Sequence, residues 1–296
     1  MSMRVTLLGT GDTTGTPTVG CDCATCVAAR ARGIERSRFS VHIENERTEE
    51  SILIDLSPDF RQQFLSQAVP LPDAAVVTHI HFDHLDGLGN AYRVFDELPV
   101  YAANEVDPKT GESVAETIRR KYEYLDRVSV FDVTPLASVE ICGLELTLVP
   151  VEHPPLLCFG LVVVDPETGA QLSLSGDTSY DIPADSREQL SDPDLFLADA
   201  IVSAALCDHH PLGGSHHDAD GVPRSFGTKH MTREGALALA DELEADVTRL
   251  VHTAHYYPAD EAFEEPLAVD GEQYRLDETG VTRLDTATTE SGATTE

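Results

Sequence analysis

Short apolar runs of β type recur along the chain, and several are followed at once by an ionisable residue. Ala74-Ala75-Val76-Val77 leads into Thr78-His79-Ile80-His81-Phe82-Asp83-His84. Leu144-Glu145-Leu146-Thr147-Leu148-Val149 alternates apolar with polar and runs through Pro150-Val151-Glu152 to His153. Leu172-Ser173-Leu174-Ser175 is followed by Gly176-Asp177, and Thr248-Arg249-Leu250-Val251 by His252. Runs of this length and pattern predict strands, and strands that end this way deliver side chains to one edge of a sheet sandwich. Helical spacing joins Ala236, Leu239, Ala240 and Leu243, with Thr232 placed to cap that helix. Residues 108–127 read as a helical insertion, about 207–229 as a polar loop, and 286–296 as a disordered acidic tail. Ligands spread from His79 to His252 must converge, so residues 1–285 are expected to fold as one domain.

The densest chemistry lies in the loop after Val77. His79 and His81 stand two apart, so an extended backbone aims both at one side, while Asp83 and His84 fall past the turn and can serve a second ion. Two cations about 3.5–4 Å apart lower the pKa of water and stabilise phosphoryl or acyl oxygens, which makes hydrolysis the expected chemistry. Nitrogen and oxygen ligands without thiolate suit zinc, manganese or iron.

Cys21, Cys23 and Cys26 form a second cluster, spaced C-x-C-x-x-C. Three thiolates at this spacing want a fourth ligand, and His255, three residues beyond His252, is the candidate for a closed structural zinc site. Free or disulfide-bonded cysteines are the alternative. No secretory signal is seen, which argues against a disulfide framework and makes the cytoplasm the expected location. Cys142, Cys158 and Cys207 read as isolated small apolar residues. His230 precedes the helix capped by Thr232, where backbone N–H groups favour a phosphate oxygen, so it is expected to bind the scissile phosphate and protonate the leaving oxygen. Asp55 and Asp59 are expected to orient ligands or cap turns. His209, His210, His216 and His217 read as a solvated loop.

The ordered histidine motif resembles the signature of the metallo-β-lactamase fold superfamily. The opening Leu8-Gly9-Thr10-Gly11-Asp12-Thr13-Thr14-Gly15-Thr16-Pro17, the cysteine cluster and the segment Ile54–Gln63 narrow the resemblance to the phosphoribosyl 1,2-cyclic phosphate phosphodiesterases, from about Arg4 to Tyr257. The resemblance implies an α/β fold, a four-layer αββα sandwich. It implies that His79, His81 and His153 hold one ion, that Asp83, His84 and His252 hold another, and that Asp177 bridges them, which makes Asp83 and Asp177 catalytic together with His230. It further implies a structural zinc on Cys21, Cys23, Cys26 and His255. The expected cofactors are therefore two divalent ions, zinc or manganese, and one structural zinc. The expected reaction is hydrolysis of a small cyclic phosphodiester by metal-activated water. A tRNA 3′-processing nuclease and a non-catalytic metal-binding protein of cofactor synthesis stay open as alternatives.

Charge changes the picture of partners. The chain has 52 acidic and 20 basic residues, a formal charge of −32, and its lysines are Lys109, Lys121 and Lys229. Such a surface repels itself in dilute buffer and is tolerated where salt screens it, which suggests a halophilic cytoplasm. It also opposes nucleic-acid binding, which draws on neutralised phosphates, and Arg30, Arg32, Arg36 and Arg38 form the one basic cluster. No apolar run approaches the roughly 20 residues of a membrane span. A small phosphodiester is the expected partner, nucleic acid and membrane are not, and a homodimer is compatible with all of this.

Overall fold

The apolar runs pair into two mixed sheets in the computed structural model, which describes residues 2–210 and 221–284. The first sheet contains β1 (Met3–Gly9), β2 (Ser40–Asn45), β3 (Glu50–Ile54), β4 (Ala74–Val77), β5 (Leu98–Ala103) and β6 (Val128–Val133). The second contains β7 (Ser138–Ile141), β8 (Leu144–Val151), β9 (Cys158–Val164), β10 (Gln171–Leu174) and β11 (Leu195–Asp199). A small ribbon joins β12 (Ser225–Phe226) to β13 (His230–Met231), β14 (Val247–Val251) completes the second sheet, and β15 (Gln273–Asp277) with β16 (Gly280–Leu284) completes the first. The strand orders are β16-β15-β1-β2-β3-β4-β5-β6 and β14-β11-β10-β9-β8-β7. Strands β3 to β6 run parallel to one another, as do β10, β11 and β14.

The helices are α1 (Ala24–Arg32), α2 (Phe60–Gln67), α3 (Phe82–Leu85), α4 (Leu88–Ala91), α5 (Val114–Lys121), α6 (Ala184–Leu190) and α7 (Arg233–Glu242). Period-two burial explains the sandwich. Leu144, Leu146 and Leu148 of β8 turn inward to meet Val5, Val41 and Ile52 of the first sheet in one core, while Glu145 is exposed. On the far side of the second sheet, Val149, Phe196 and Leu250 pack under Leu190 of α6 and Ala236, Leu239 and Leu243 beside α7. Helices α2 and α5 cover the first sheet, so the four layers are those of the expected αββα sandwich. No helix among the described residues is long and apolar enough to cross a membrane.

Two expectations are corrected. The helix read over 108–127 spans only Val114–Lys121, and it is the crossover between the parallel strands β5 and β6. Gly111 at φ 75° keeps the chain in a turn, and the Ser113–Glu116 capping box then starts the helix. The loop expected over 207–229 contains the end of a 3-10 turn (Ala204–His209) and strand β12, and it leads into β13. His210 within it is half-buried against Phe226 and Tyr256, with ring centroids 4.6 and 4.8 Å away, because these rings exclude water that a solvated loop would keep. His209 is exposed. His216, His217 and the tail from 286 to 296 lie outside the described residues.

Candidate metal centre

The histidine loop leaves β4 extended and then tightens. His81 is the extended N-cap of α3, which turns Asp83 and His84 back toward the sandwich edge. This turn is docked on the segment after β3: Leu56 N donates to His84 O at 2.8 Å, and Gly87 N donates to Leu56 O at 2.9 Å. Glycine is required at 87, since a Cβ there would stand 2.0 Å from Ser57 O.

Side chains from both sheets meet at this edge. His79 Nε2 lies 2.9 Å from His81 Nδ1, and His153 Nε2 lies 3.2 Å from the same atom, so three imidazole nitrogens face one point. Asp177 joins that group. Asp83, His84 and His252 form the second group. Asp177 Oδ2 stands between the groups, 3.8 Å from His79 Nε2 and 3.3 Å from both His84 Nε2 and His252 Nε2. All seven residues expected from the sequence are therefore brought together, in the expected grouping. His230 joins Asp177 and His252 in a further cluster, its ring stacked on that of His252 with centroids 5.1 Å apart.

Two divalent cations suit this donor set. His84 Nε2 and His252 Nε2 are buried and make no hydrogen bond, which costs free energy that a coordinated ion would offset. The ligands are oriented from behind. His84 Nδ1 meets Asp55 Oδ2 at 2.6 Å, His79 Nδ1 meets Thr78 Oγ1 at 3.1 Å, and His153 Nδ1 donates to Lys229 O at 2.7 Å. Such partners fix tautomer and ring angle. Asp55 thus has the orienting role expected of it, whereas Asp59 pairs with Arg38.

The electrostatics also call for positive charge at the centre. Burial, reinforced by neighbouring imidazoles, holds His79 well below the ordinary histidine range, and burial takes His153 down to about 4. Burial opposes charge on His84 and His252 too, but Asp177 with Asp55 and Asp83, or with Asp199 and Asp83, raises them well above it. Asp83 and Asp177 are pulled down by these imidazoles against the effect of their own burial.

Asp199 is the residue that sequence reasoning missed. It ends β11, and its Oδ2 meets His230 Nδ1 at 2.9 Å and accepts Thr178 N–H at 3.0 Å. Its Oδ1 is 3.6 Å from His252 Nδ1, too long for a hydrogen bond. The signal was present, because Leu195-Phe196-Leu197-Ala198 is another apolar run ending in an ionisable residue.

The cysteine cluster closes as expected from its spacing. His255 Nδ1 is 3.4, 3.2 and 3.3 Å from the sulfurs of Cys21, Cys23 and Cys26. Against burial, the Cys26 N–H and His255 pull Cys23 down to about 6, while burial pushes Cys26 up to about 12. Four donors converging in this way suit a zinc ion without an open position. The N-terminal segment is joined to the stretch after His252: Thr253 N donates to Thr10 O at 3.1 Å, and Thr25 Oγ1 of α1 donates to Tyr257 O at 2.7 Å. Cys142, Cys158 and Cys207 are free, the last two buried.

This architecture is shared with solved structures. A diphosphatase from the PhnP family superposes with a TM-score of 0.73 at 26% identity, over 96% of this chain and 99% of that one. Zinc-bound PqqB from Methylobacterium extorquens gives 0.71 at 19% identity, covering 91% of this chain and 99% of that chain. The short form of human tRNase Z gives 0.62 at 18%, covering 91% and 98%. Among curated proteins, an octanoyltransferase from Porphyromonas gingivalis is 39% identical over 139 residues, 46% of this chain. The chain spans only 26% of that relative's length. A family model described as a beta-lactamase superfamily domain matches residues 50–253, from β3 through His252. With this match over most of its length and the αββα sandwich around the ligand edge, the chain belongs to the metallo-β-lactamase superfamily.

Proposed function

We propose that the chain is a metal-dependent phosphodiesterase acting on a small phosphodiester, of the phosphoribosyl 1,2-cyclic phosphate type. The observation that carries this reading is His230, held by Asp199 and set beside a seven-ligand edge. His79, His81, His153 and Asp177 would hold one divalent ion, and Asp83, His84, His252 and the shared Asp177 the other. When bound, such a pair supplies an activated water and stabilises phosphoryl oxygens. Because Asp199 occupies His230 Nδ1, His230 keeps Nε2 for the leaving oxygen and can deliver a proton there.

The charge of −32 supports a small substrate over a polynucleotide, since phosphate contacts need basic side chains. The likeness to a diphosphatase at 26% identity favours one second reading, cleavage of a phosphoric anhydride at the same centre. The test is an assay of protein loaded with zinc or manganese in about 2–3 M salt, with ribose 1,2-cyclic phosphate, bis(p-nitrophenyl) phosphate and a dinucleoside diphosphate as substrates. Efficient opening of the cyclic ester, lowered by roughly 10²-fold or more in His230→Ala, is the expected result. Preference for the diphosphate selects the second reading, and no turnover by metal-loaded protein rejects both.

A further inference from the structure

Helix α2 leaves an apolar face without a partner. With α4 and the 3-10 turn Tyr92–Val94 that continues it, α2 forms an open groove of about 700 Å³, lined by Phe60, Phe64, Leu65, Val69, Leu71 and Val94. Leu65 is 63% and Val94 50% exposed. Phe60 and Phe64 lie against each other with ring centroids 4.4 Å apart. Contiguous exposed apolar surface of this kind marks an interaction site.

The charge around the groove sets it apart from the rest of the molecule. In a chain with 52 acidic residues among 296, residues 60–72 and 87–95 have none. Helix α5 carries Glu116, α6 carries Asp185 and Glu188, and α7 carries Glu234, Asp241 and Glu242. Helix α1 also lacks acids, but its Arg30 and Arg32 are paired with Asp22 and Glu264. Arg61, which lines the groove, Arg93 beside Val94, and Asp96 two residues beyond Val94 are exposed and have no ion pair among the described residues. Two molecules of charge −32 repel each other over most of their surface, so a stable contact between copies needs a face free of carboxylates. A two-fold contact sets each patch against itself, and this patch has free groups of both signs at its margin. An arginine of one copy can therefore meet Asp96 of the other, and the reverse. A basic partner of another kind would be drawn to the acidic faces instead.

We propose that this groove is the contact surface of a two-fold dimer, in which α2 of each copy seats against the α2–α4 groove of the other. The proposal is independent of the reaction catalysed. It is tested by light scattering after size exclusion in about 2 M KCl, where charge repulsion is screened. Roughly 50 µM protein is used, above the micromolar Kd expected at the weak end for a contact of about 800 Å² per copy. Twice the mass of one chain is the expected result. Leu65→Asp and Val94→Asp, each placing a carboxylate in the groove, should weaken association at least about 30-fold. Leu237→Asp, at a position 38% exposed on α7, should leave it intact. Amide hydrogen exchange of the parent protein gives a readout free of substitutions: residues 60–71 and 88–95 should exchange more slowly at about 50 µM than at about 0.5 µM. A monomeric parent would overturn the proposal and leave the groove to an unlike partner. A dimer that survives both groove substitutions, or whose concentration-dependent protection lies in other segments, would overturn it as well.

Discussion

Asp199 stands in none of the candidate ligand groups, yet it occupies Nδ1 of His230 and so decides which nitrogen is available. Asp199→Asn should therefore lower kcat by roughly 10²-fold while bound metal, measured by elemental analysis, stays at the parent level. Combined with His230→Ala it should add little, because the two residues act as a unit. Loss of metal in Asp199→Asn would instead assign Asp199 to the ligand set. A second residue-scale effect concerns His42, 1% exposed and edge-on to Phe64 at 6.1 Å. Burial takes its pKa down to about 4 from the ordinary 6.5. The unfolded chain thus takes up a proton that the folded chain refuses, so the contribution of neutral His42 is complete above about pH 6.5 and is lost as pH falls toward about 4. Across that window the parent should lose up to roughly 3 kcal/mol more than His42→Phe in denaturant unfolding. Parallel curves would show that His42 is not the titrating group.

At the scale of elements, most of the metal edge was legible because the ligands follow apolar runs that can only be strands: β4, β8, β10 and β14 lead to His79, His153, Asp177 and His252. The helix at 108–127 was overread because its charged residues hide the turn at Gly111, and only the capping box marks the true start. Asp199 escaped notice because an acid after a strand is common and its role depends on β13, which brings His230 within reach. The groove beside α2 was illegible for the same reason, since its walls come from helices that meet only after folding. The α3–α4 junction gives an element-scale prediction. Gly87→Ala would drive a Cβ into Ser57 O and Leu56 O, at 2.0 and 2.5 Å, so the turn carrying Asp83 and His84 must shift. A loss of at least about 3 kcal/mol is expected, with weaker binding of a divalent ion added to the candidate site at Asp83, His84 and His252. A fully folded, metal-replete variant would mean that the turn yields more easily than its backbone packing implies.

For the whole molecule, the formal charge of −32 sets the conditions under which everything else is read. Repulsion among 52 carboxylates is long-ranged in dilute buffer, and the Debye length falls from about 10 Å at 0.1 M to about 3 Å at 1 M salt. The melting temperature should rise by on the order of 10 °C between 0.1 and 2 M KCl. A flat profile would reject the salt-adapted reading of the composition.

The segment from His252 to Tyr257 contributes to both candidate metal clusters. His252 faces one, His255 faces the other, Thr253 is bonded to Thr10 and Tyr257 to Thr25 of α1. The two clusters therefore share one short stretch of backbone. If both clusters hold ions, whatever factor an ion at the cysteines adds to the affinity of the histidine edge, an ion at that edge returns in equal measure. A chelator titration of the intact protein is then expected to be cooperative, with the first ion withdrawn loosening the rest.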